Sequence, residues 1–160
     1  MHVFDTSSMI YAWDNYPERQ FPSLWNWIAK QIEQGNLVMS VVAFDEVKKN
    51  DPDCYAWLSE RGLNPLETSN SIIQDARRIK DLIGIVADNY HGNGVGENDL
   101  FIIATARAYG AELVTDERPQ AILPNEPRKR KIPAVCGMQE VNVSCINFVE
   151  YIKRSQVVFR

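Results

Sequence analysis

The pattern of apolar and polar positions along the chain predicts short strands separated by helices. Apolar runs at residues 2–4, 37–39 and 111–115 have the length of buried strands, and a further run near 141–145 predicts a last strand. Strands that alternate with helices form parallel β-α-β units, whose crossovers place helices on both faces of the sheet. The pattern therefore predicts an α/β fold with a central, mostly parallel sheet.

Helices are predicted where apolar residues recur every three or four positions. Ser7 and Ser8 can cap the first helix and Ser40 the third, because a serine side chain accepts a hydrogen bond from a free backbone N–H there. A glycine-rich loop precedes the sixth helix, and another loop follows the third strand to about residue 131. The predicted helices lie after residue 5 and at 21–34, 41–49, 53–60, 71–89, 97–109 and 147–154.

Length and composition predict one domain over residues 1–160, because 45% hydrophobic residues are enough for a proper core. No apolar run approaches the roughly 20 residues that cross a bilayer, and Asp5 stands where a signal peptide would need its apolar stretch. The three cysteines show no CxxC spacing, which fits reduced thiols. We therefore expect a cytoplasmic protein that does not enter a membrane.

The net charge of −4, from 21 acidic and 17 basic residues, argues against a non-specific nucleic-acid binder, which would normally be basic. It does not exclude a nuclease, because a cluster of metal-binding carboxylates itself makes the charge more negative.

Acidic residues follow two of the predicted strands and lie near the start of two predicted helices. Asp5 ends the first strand, and Asp116 and Glu117 follow the third. Glu46 lies in the first turns of the helix after the second strand, and Asp99 in the first turn of the helix at 97–109. The functional crevice of a parallel sheet lies outside the carboxyl ends of its strands, so we expect these acids to converge there.

Carboxylates that converge on one crevice raise each other's pKa values unless a cation lies among them. Mg²⁺ and Mn²⁺ prefer such oxygen ligands, and phosphodiester hydrolysis is the chemistry that suits the arrangement. Taken singly, each acid also has an ordinary structural interpretation, as the end of a strand, a charge at a helix N-terminus or part of a solvated helix face.

Four stretches of the chain resemble the motifs of PIN domains, in the expected order. VFDTS at 3–7 resembles the first motif, and VVAFDEV at 41–47 resembles the second. ENDLFIIATA at 97–106 and GAELVTDE at 110–117 resemble the third and fourth, which together are fairly specific. The resemblance implies a PIN-like three-layer α/β/α sandwich. The segments at 131–136 and 145–147 also resemble a PIN-like subfamily whose cellular role is largely inferred.

PIN domains are α/β nucleases, and many are VapC-type toxins of bacterial toxin–antitoxin pairs that cut RNA with Mg²⁺ or Mn²⁺. The resemblance implies a metal-dependent endoribonuclease with an RNA substrate, a cognate antitoxin and a possible homodimer. It makes Asp5, Glu46 and Asp99 metal ligands and catalytic residues. The fourth acid is either Asp116 or Glu117, because family members place it one or two residues past the threonine.

Further residues are expected to support the acids or to bind RNA. Thr6 and Thr115 match the hydroxyl positions of the family and are expected to orient ligands or water, while Glu97 adds an acid that the common pattern does not require. Basic residues downstream are candidate contacts for RNA phosphates or for an acidic antitoxin, although a solvated loop is the simpler interpretation. These residues are Arg118, Arg128, Lys129 and Arg130.

Two other functions fit parts of the sequence. A non-catalytic PIN-like module that binds RNA or protein would keep the same motifs. A phosphatase of the haloacid-dehalogenase kind would also place Asp5 after the first strand, but it needs a second aspartate where this chain has Ser7. Separately, Phe21, Trp27 and Trp57 are predicted to form an exposed patch for a partner or a dimer.

Overall fold

The computed structural model describes residues 1–160 and contains one four-stranded sheet. The strands lie in the order β2-β1-β3-β4, and every neighbouring pair is parallel, as the pattern predicts. Val3 is paired with Val38 on one side and with Leu113 on the other, so β1 lies in the interior of the sheet. The strands are β1 (His2–Phe4), β2 (Leu37–Val38), β3 (Glu112–Val114) and β4 (Cys145–Ile146).

Eight helices connect and flank the strands. Because the chain crosses from β1 to β2 on one side and from β2 to β3 on the other, right-handed crossovers place helices on both faces of the sheet. A short 3₁₀ turn at Pro127–Lys129 precedes α7. The helices are α1 (Thr6–Asn15), α2 (Pro22–Glu33), α3 (Val41–Asn50), α4 (Pro52–Glu60), α5 (Asn70–Leu82), α6 (Glu97–Ala108), α7 (Ile132–Cys136) and α8 (Phe148–Ser155).

The strand order creates a switch point between β1 and β3. The chain leaves β1 toward β2 and leaves β3 toward β4, so the two loops diverge and open a crevice at the carboxyl edge of the sheet. Crossover helices run against the strands, which brings the N-terminus of α6 to the same edge. Asp5, Asp99 and the residues after Val114 therefore approach one another although they are far apart in sequence.

One cluster of 39 buried apolar side chains forms the core on both sides of β1 and β3. Phe4 makes edge-to-face contacts with Phe148 and Tyr151, at ring centroid distances of 6.2 and 5.0 Å. Such contacts between aromatic rings add to the gain from burial. None of the helices combines the length and apolarity needed to cross a bilayer.

The predicted aromatic patch does not exist. Trp57 is only 6% exposed, since its ring packs against Trp25 at 4.8 Å and lies beside Trp13. Trp27 packs against Phe159, near the C-terminus. The predicted patch is wrong because the rings that were assigned to the surface fill gaps between helices; Phe21 alone stays exposed.

Several predicted boundaries are also wrong, each for a local reason. The cap of α1 is Asp5 and neither serine, because its carboxylate accepts the bond from the Ser8 N–H. Helix α5 ends at Leu82, seven residues before the predicted end, because Gly84 adopts a φ of +78°. The last strand begins only at Cys145, because the N–H of Val143 donates to the Cys136 carbonyl at the end of α7 and not to a neighbouring strand. The pattern did not predict helix α7.

Candidate active site

The acids that the sequence singles out line one cleft at the switch point. This cleft of about 500 Å³ is bordered by α1, α3, the start of α6 and the loop after β3. It continues between α1 and α3 to the polar residues Asp14 and Asn50. Besides Asp14, the acids that line it are the five that the sequence analysis names for the site: Asp5, Glu46, Asp99, Asp116 and Glu117.

Asp5 lies at the floor of the cleft with 3% of its surface exposed. Its carboxylate accepts hydrogen bonds from the Ser8 N–H at 2.7 Å, the Ser7 hydroxyl at 2.9 Å and the Thr115 hydroxyl at 2.5 Å. Burial raises the pKa of Asp5, whereas the bonds from Thr115, Ser8 and Ser7 lower it. These donors fix the direction of the carboxylate that also caps α1.

Glu46 and Asp99 form the facing wall of the cleft. The Thr6 hydroxyl lies 3.2 Å from Glu46 Oε1 and donates to it. Asp99 Oδ2 accepts the N–H of Gly96 at 2.8 Å, which closes the first turn of α6. Burial raises the pKa of both carboxyls, and the charges of Asp99 and Asp5 raise that of Glu46 further. Thr6 therefore holds the Glu46 carboxylate by a hydrogen bond.

The two candidates for the fourth acid differ in their surroundings. Burial raises the pKa of Glu117, and the nearby Asp99 and Asp5 carboxylates raise it further. Asp116 is exposed; burial raises its pKa, and the Arg118 charge lowers it. The backbone N–H of Asp116 binds the Ser7 hydroxyl at 3.0 Å, which ties its loop to the cleft floor. Glu117 is thus the acid that shares the electrostatic environment of the other three.

The donor set fits Mg²⁺ or Mn²⁺ chemically, because all the acids present hard carboxylate oxygens to one cleft. No three His, Cys, Asp or Glu side chains lie close enough together to hold a metal ion as they stand. Mg²⁺ does not require such a set, since it keeps several waters and binds proteins through one or two carboxylates. Asp5 and Asp99, with Glu46 and Glu117 beside them, would hold the ion.

The remaining predicted residues are distributed around the cleft. Thr115 contacts Asp5, as described, but Glu97 is exposed and lines a separate pocket with Arg77 and Lys80. The structure therefore does not bring Glu97 to the other acids. Arg118 lies close enough to Asp116 to affect its pKa. Arg128, Lys129 and Arg130 lie in and directly after the 3₁₀ turn that leads to α7.

Sequence reasoning missed the roles of Ser7 and Gln120 at this site. Ser7 was interpreted as a helix cap, yet it donates to Asp5 and accepts from the N–H of Asp116. Gln120 and Lys131 connect the loop after β3 to the start of α7 through a hydrogen bond of 2.9 Å. The position of Ser7 two residues after Asp5, within the first motif, was the signal that could have identified it.

Removing the charge of Asp99 is expected to stabilise the metal-free protein most at high pH. Its pKa is raised by folding, so the folded state keeps a proton that the unfolded chain releases. The free energy of unfolding then falls as pH rises from the ordinary carboxyl value through the raised one. In EDTA, the melting temperature of Asp99→Asn should exceed that of the wild type by a few degrees near pH 8 and by less near pH 4.5. An equal difference at both pH values would contradict the raised pKa.

Fold and cleft together define a parallel α/β domain with an acidic cleft at the switch point of its sheet. The model of a family described as a domain of unknown function, DUF4411, matches residues 2–159, and the chain belongs to this family. No curated protein matches the sequence.

Solved structures with a similar fold include two from bacteria. One is the crystal structure of VapBC2 from Rickettsia felis, bound to a DNA fragment from its promoter. Its TM-score is 0.55 at 19% sequence identity, and the match covers 92% of this chain and 98% of that chain. The other is FitAcB from Neisseria gonorrhoeae, with a TM-score of 0.53 at 16% sequence identity. That match covers 92% of this chain and 97% of that chain. These similarities confirm the predicted PIN-like α/β fold.

Proposed function

We propose that this protein is a metal-dependent endoribonuclease and the toxin of a toxin–antitoxin pair. The observation that supports the nuclease is the cleft itself, in which Asp5, Glu46, Asp99 and Glu117 all have raised pKa values because of burial. Such a group of acids is unfavourable in the absence of a cation, and strongly perturbed carboxyls in one cleft are typical of functional sites.

Each residue has a defined part in the proposed reaction. Asp5 and Asp99 would hold the ion, and Glu46 and Glu117 would add negative charge beside it. A bound Mg²⁺ or Mn²⁺ supplies positive charge to the phosphate and lowers the pKa of an attacking water. Ser7 and Thr115 keep the Asp5 carboxylate aimed at the cleft through the bonds described above. The substrate class is the phosphodiester backbone of RNA.

An antitoxin partner is the second part of the proposal. It is supported by the fold shared with VapBC2 and FitAcB, which are complexes related to toxin–antitoxin pairs. We expect a bound protein partner to suppress cleavage while it covers the cleft. The homodimer implied by the family resemblance stays a prediction.

Cleavage of a structured RNA pool by metal-stripped protein tests the nuclease. We expect no cleavage in EDTA and recovery on addition of Mg²⁺ or Mn²⁺. Glu46→Gln should lose most of this activity, whereas its neighbour Asp45→Asn, exposed on the same helix, should keep it. Cleavage that persists in EDTA, or folded protein that is inactive with both ions, would contradict the proposal; the second result would favour the non-catalytic binding module.

A further inference from the structure

The basic segment, residues 128–131, is held against the loop that follows β3. The backbone N–H of Ile132, directly after the segment, donates to Glu117 Oε2 at 2.8 Å. Gln120 makes two further bonds, accepting from the Lys131 N–H at 2.9 Å and donating to the Lys129 carbonyl at 3.2 Å. One end of the basic segment is therefore fixed at the rim of the acidic cleft.

The glycine-rich loop before α6 contacts the basic segment from the other side. The Val95 N–H donates to the Arg130 carbonyl at 3.0 Å. A Cβ at Gly94 would lie 1.9 Å from the Arg128 carbonyl oxygen and 2.9 Å from its carbon, so no side chain fits there without a shift of backbone. The same loop ends at Gly96, which binds Asp99. Close approach at Gly94 thus links the basic segment to the start of α6.

The four cations of the segment differ in how far their charges are neutralised. Glu126 forms salt bridges with Arg128 at 3.7 Å and with Lys129 at 3.0 Å. Arg128 also donates to the side chain of Asn89. Neither Arg130 nor Lys131 forms a salt bridge. The Arg130 side chain makes one hydrogen bond, in which Nε donates to the Pro124 carbonyl. Lys131 directly precedes Ile132, whose N–H binds Glu117, and the positive charge of Lys131 lowers the pKa of Glu117.

We propose that Arg130 and Lys131 form a phosphate-binding ridge at the rim of the cleft, with Gly94 and Gln120 as its positioning residues. The inference rests on the proposed function in one respect: the ligand is the RNA backbone, bound at a phosphate next to the one that is cut. It also reduces the number of expected RNA contacts. Arg128 and Lys129 form salt bridges with Glu126 and therefore contribute less to phosphate binding.

The ridge can be tested without cleavage, using a fluorescently labelled single-stranded oligoribonucleotide in EDTA and low salt. Neutralising a phosphate contact reduces the slope of log affinity against log salt by about 0.7 for a single strand. Arg130→Gln and Lys131→Gln should each show about this loss, whereas the comparison variant Lys129→Gln should reduce the slope clearly less, because Glu126 already neutralises that charge. Because no metal or turnover is needed, the ridge and the nuclease can fail independently.

Gly94→Ala and Gln120→Ala test the positioning role. We expect each to weaken RNA binding about 3–10-fold, which is of the size expected for one displaced charge contact. In the cleavage assay each should raise KM and leave kcat within about twofold, a split that general loss of folded protein would not produce. If Gly94→Ala does not fold, the Gln120→Ala result decides. Equal effects of Lys129→Gln and Lys131→Gln, wild-type affinity in a folded positioning variant, or no binding by the wild type would overturn the proposal.

Discussion

Asp99→Asn is expected to lower the rate of RNA cleavage by at least about 100-fold and to leave the fold intact. Loss of a group that only supports a metal ligand lowers metal affinity or activity about 10–100-fold, and loss of a direct ligand should lower them further. The asparagine oxygen can still accept the bond from the Gly96 N–H, so the first turn of α6 keeps its cap. Initial rates of RNA cleavage in saturating Mg²⁺ give the effect.

Glu97→Gln is the matched control for this substitution. Glu97 is an acid of the same helical turn, but it is exposed and lines a different pocket. Its substitution should change the rate by less than about twofold, as expected for a surface position away from the site. An Asp99→Asn protein with near-wild-type activity would remove Asp99 from the set of ligands, and equal losses in both variants would point to a general effect on α6.

Glu117→Gln is expected to reduce cleavage about 10–100-fold, whereas Asp116→Asn should reduce it less than about threefold. The reason is electrostatic, since Glu117 interacts with Asp99 and Asp5, while Asp116 interacts with Arg118. Glutamine retains an oxygen that can accept the Ile132 N–H, so α7 should stay in place.

The two variants should be compared by kcat at saturating RNA, together with their far-UV circular dichroism. The reverse ranking would make Asp116 the fourth acid. A large loss in both variants would mean that both carboxylates take part, and the Ser7 hydroxyl, which binds the Asp116 backbone, would then be the residue to test next.

The parallel sheet was predictable because β1, β2 and β3 are largely buried and therefore consist of short apolar runs. The last strand was misplaced because Val141 and Val143 are also buried, although they pack near the end of α7 rather than in the ladder. Nothing in local periodicity distinguishes these two kinds of burial. Helix α7 is only five residues long, which is too short for a periodic signal.

The acids of the site were predictable because each follows a strand or begins a helix at the same edge of the sheet. Their supporting contacts were not, since they join residues that are distant in sequence. The bond between Thr115 and Asp5 spans 110 positions, and that between Thr6 and Glu46 spans 40. The distinction between Glu117 and Asp116 likewise depends on which side chain interacts with Asp5 and Asp99 and which with Arg118, and the order of adjacent residues in a loop carries no such information.

The pairing of Arg128 and Lys129 with Glu126 shows the same limit. The sequence presents a run of four cations, and only the fold reveals which of their charges are already compensated. Gly94 is a further example. Only glycine fits at this position, because a Cβ would collide with the carbonyl of Arg128, which lies 34 positions away in the chain.

Binding of Mn²⁺ to the metal-stripped protein, followed by the loss of the EPR signal of free Mn²⁺, is the most direct test of the central claim that the acidic cleft is a divalent-metal site. We predict that the wild type binds Mn²⁺, that Mg²⁺ displaces it, and that Asp99→Asn loses this binding while Glu97→Gln retains it. A folded wild-type protein that leaves the free Mn²⁺ signal unchanged, or an Asp99→Asn variant that binds as tightly as the wild type, would contradict the account.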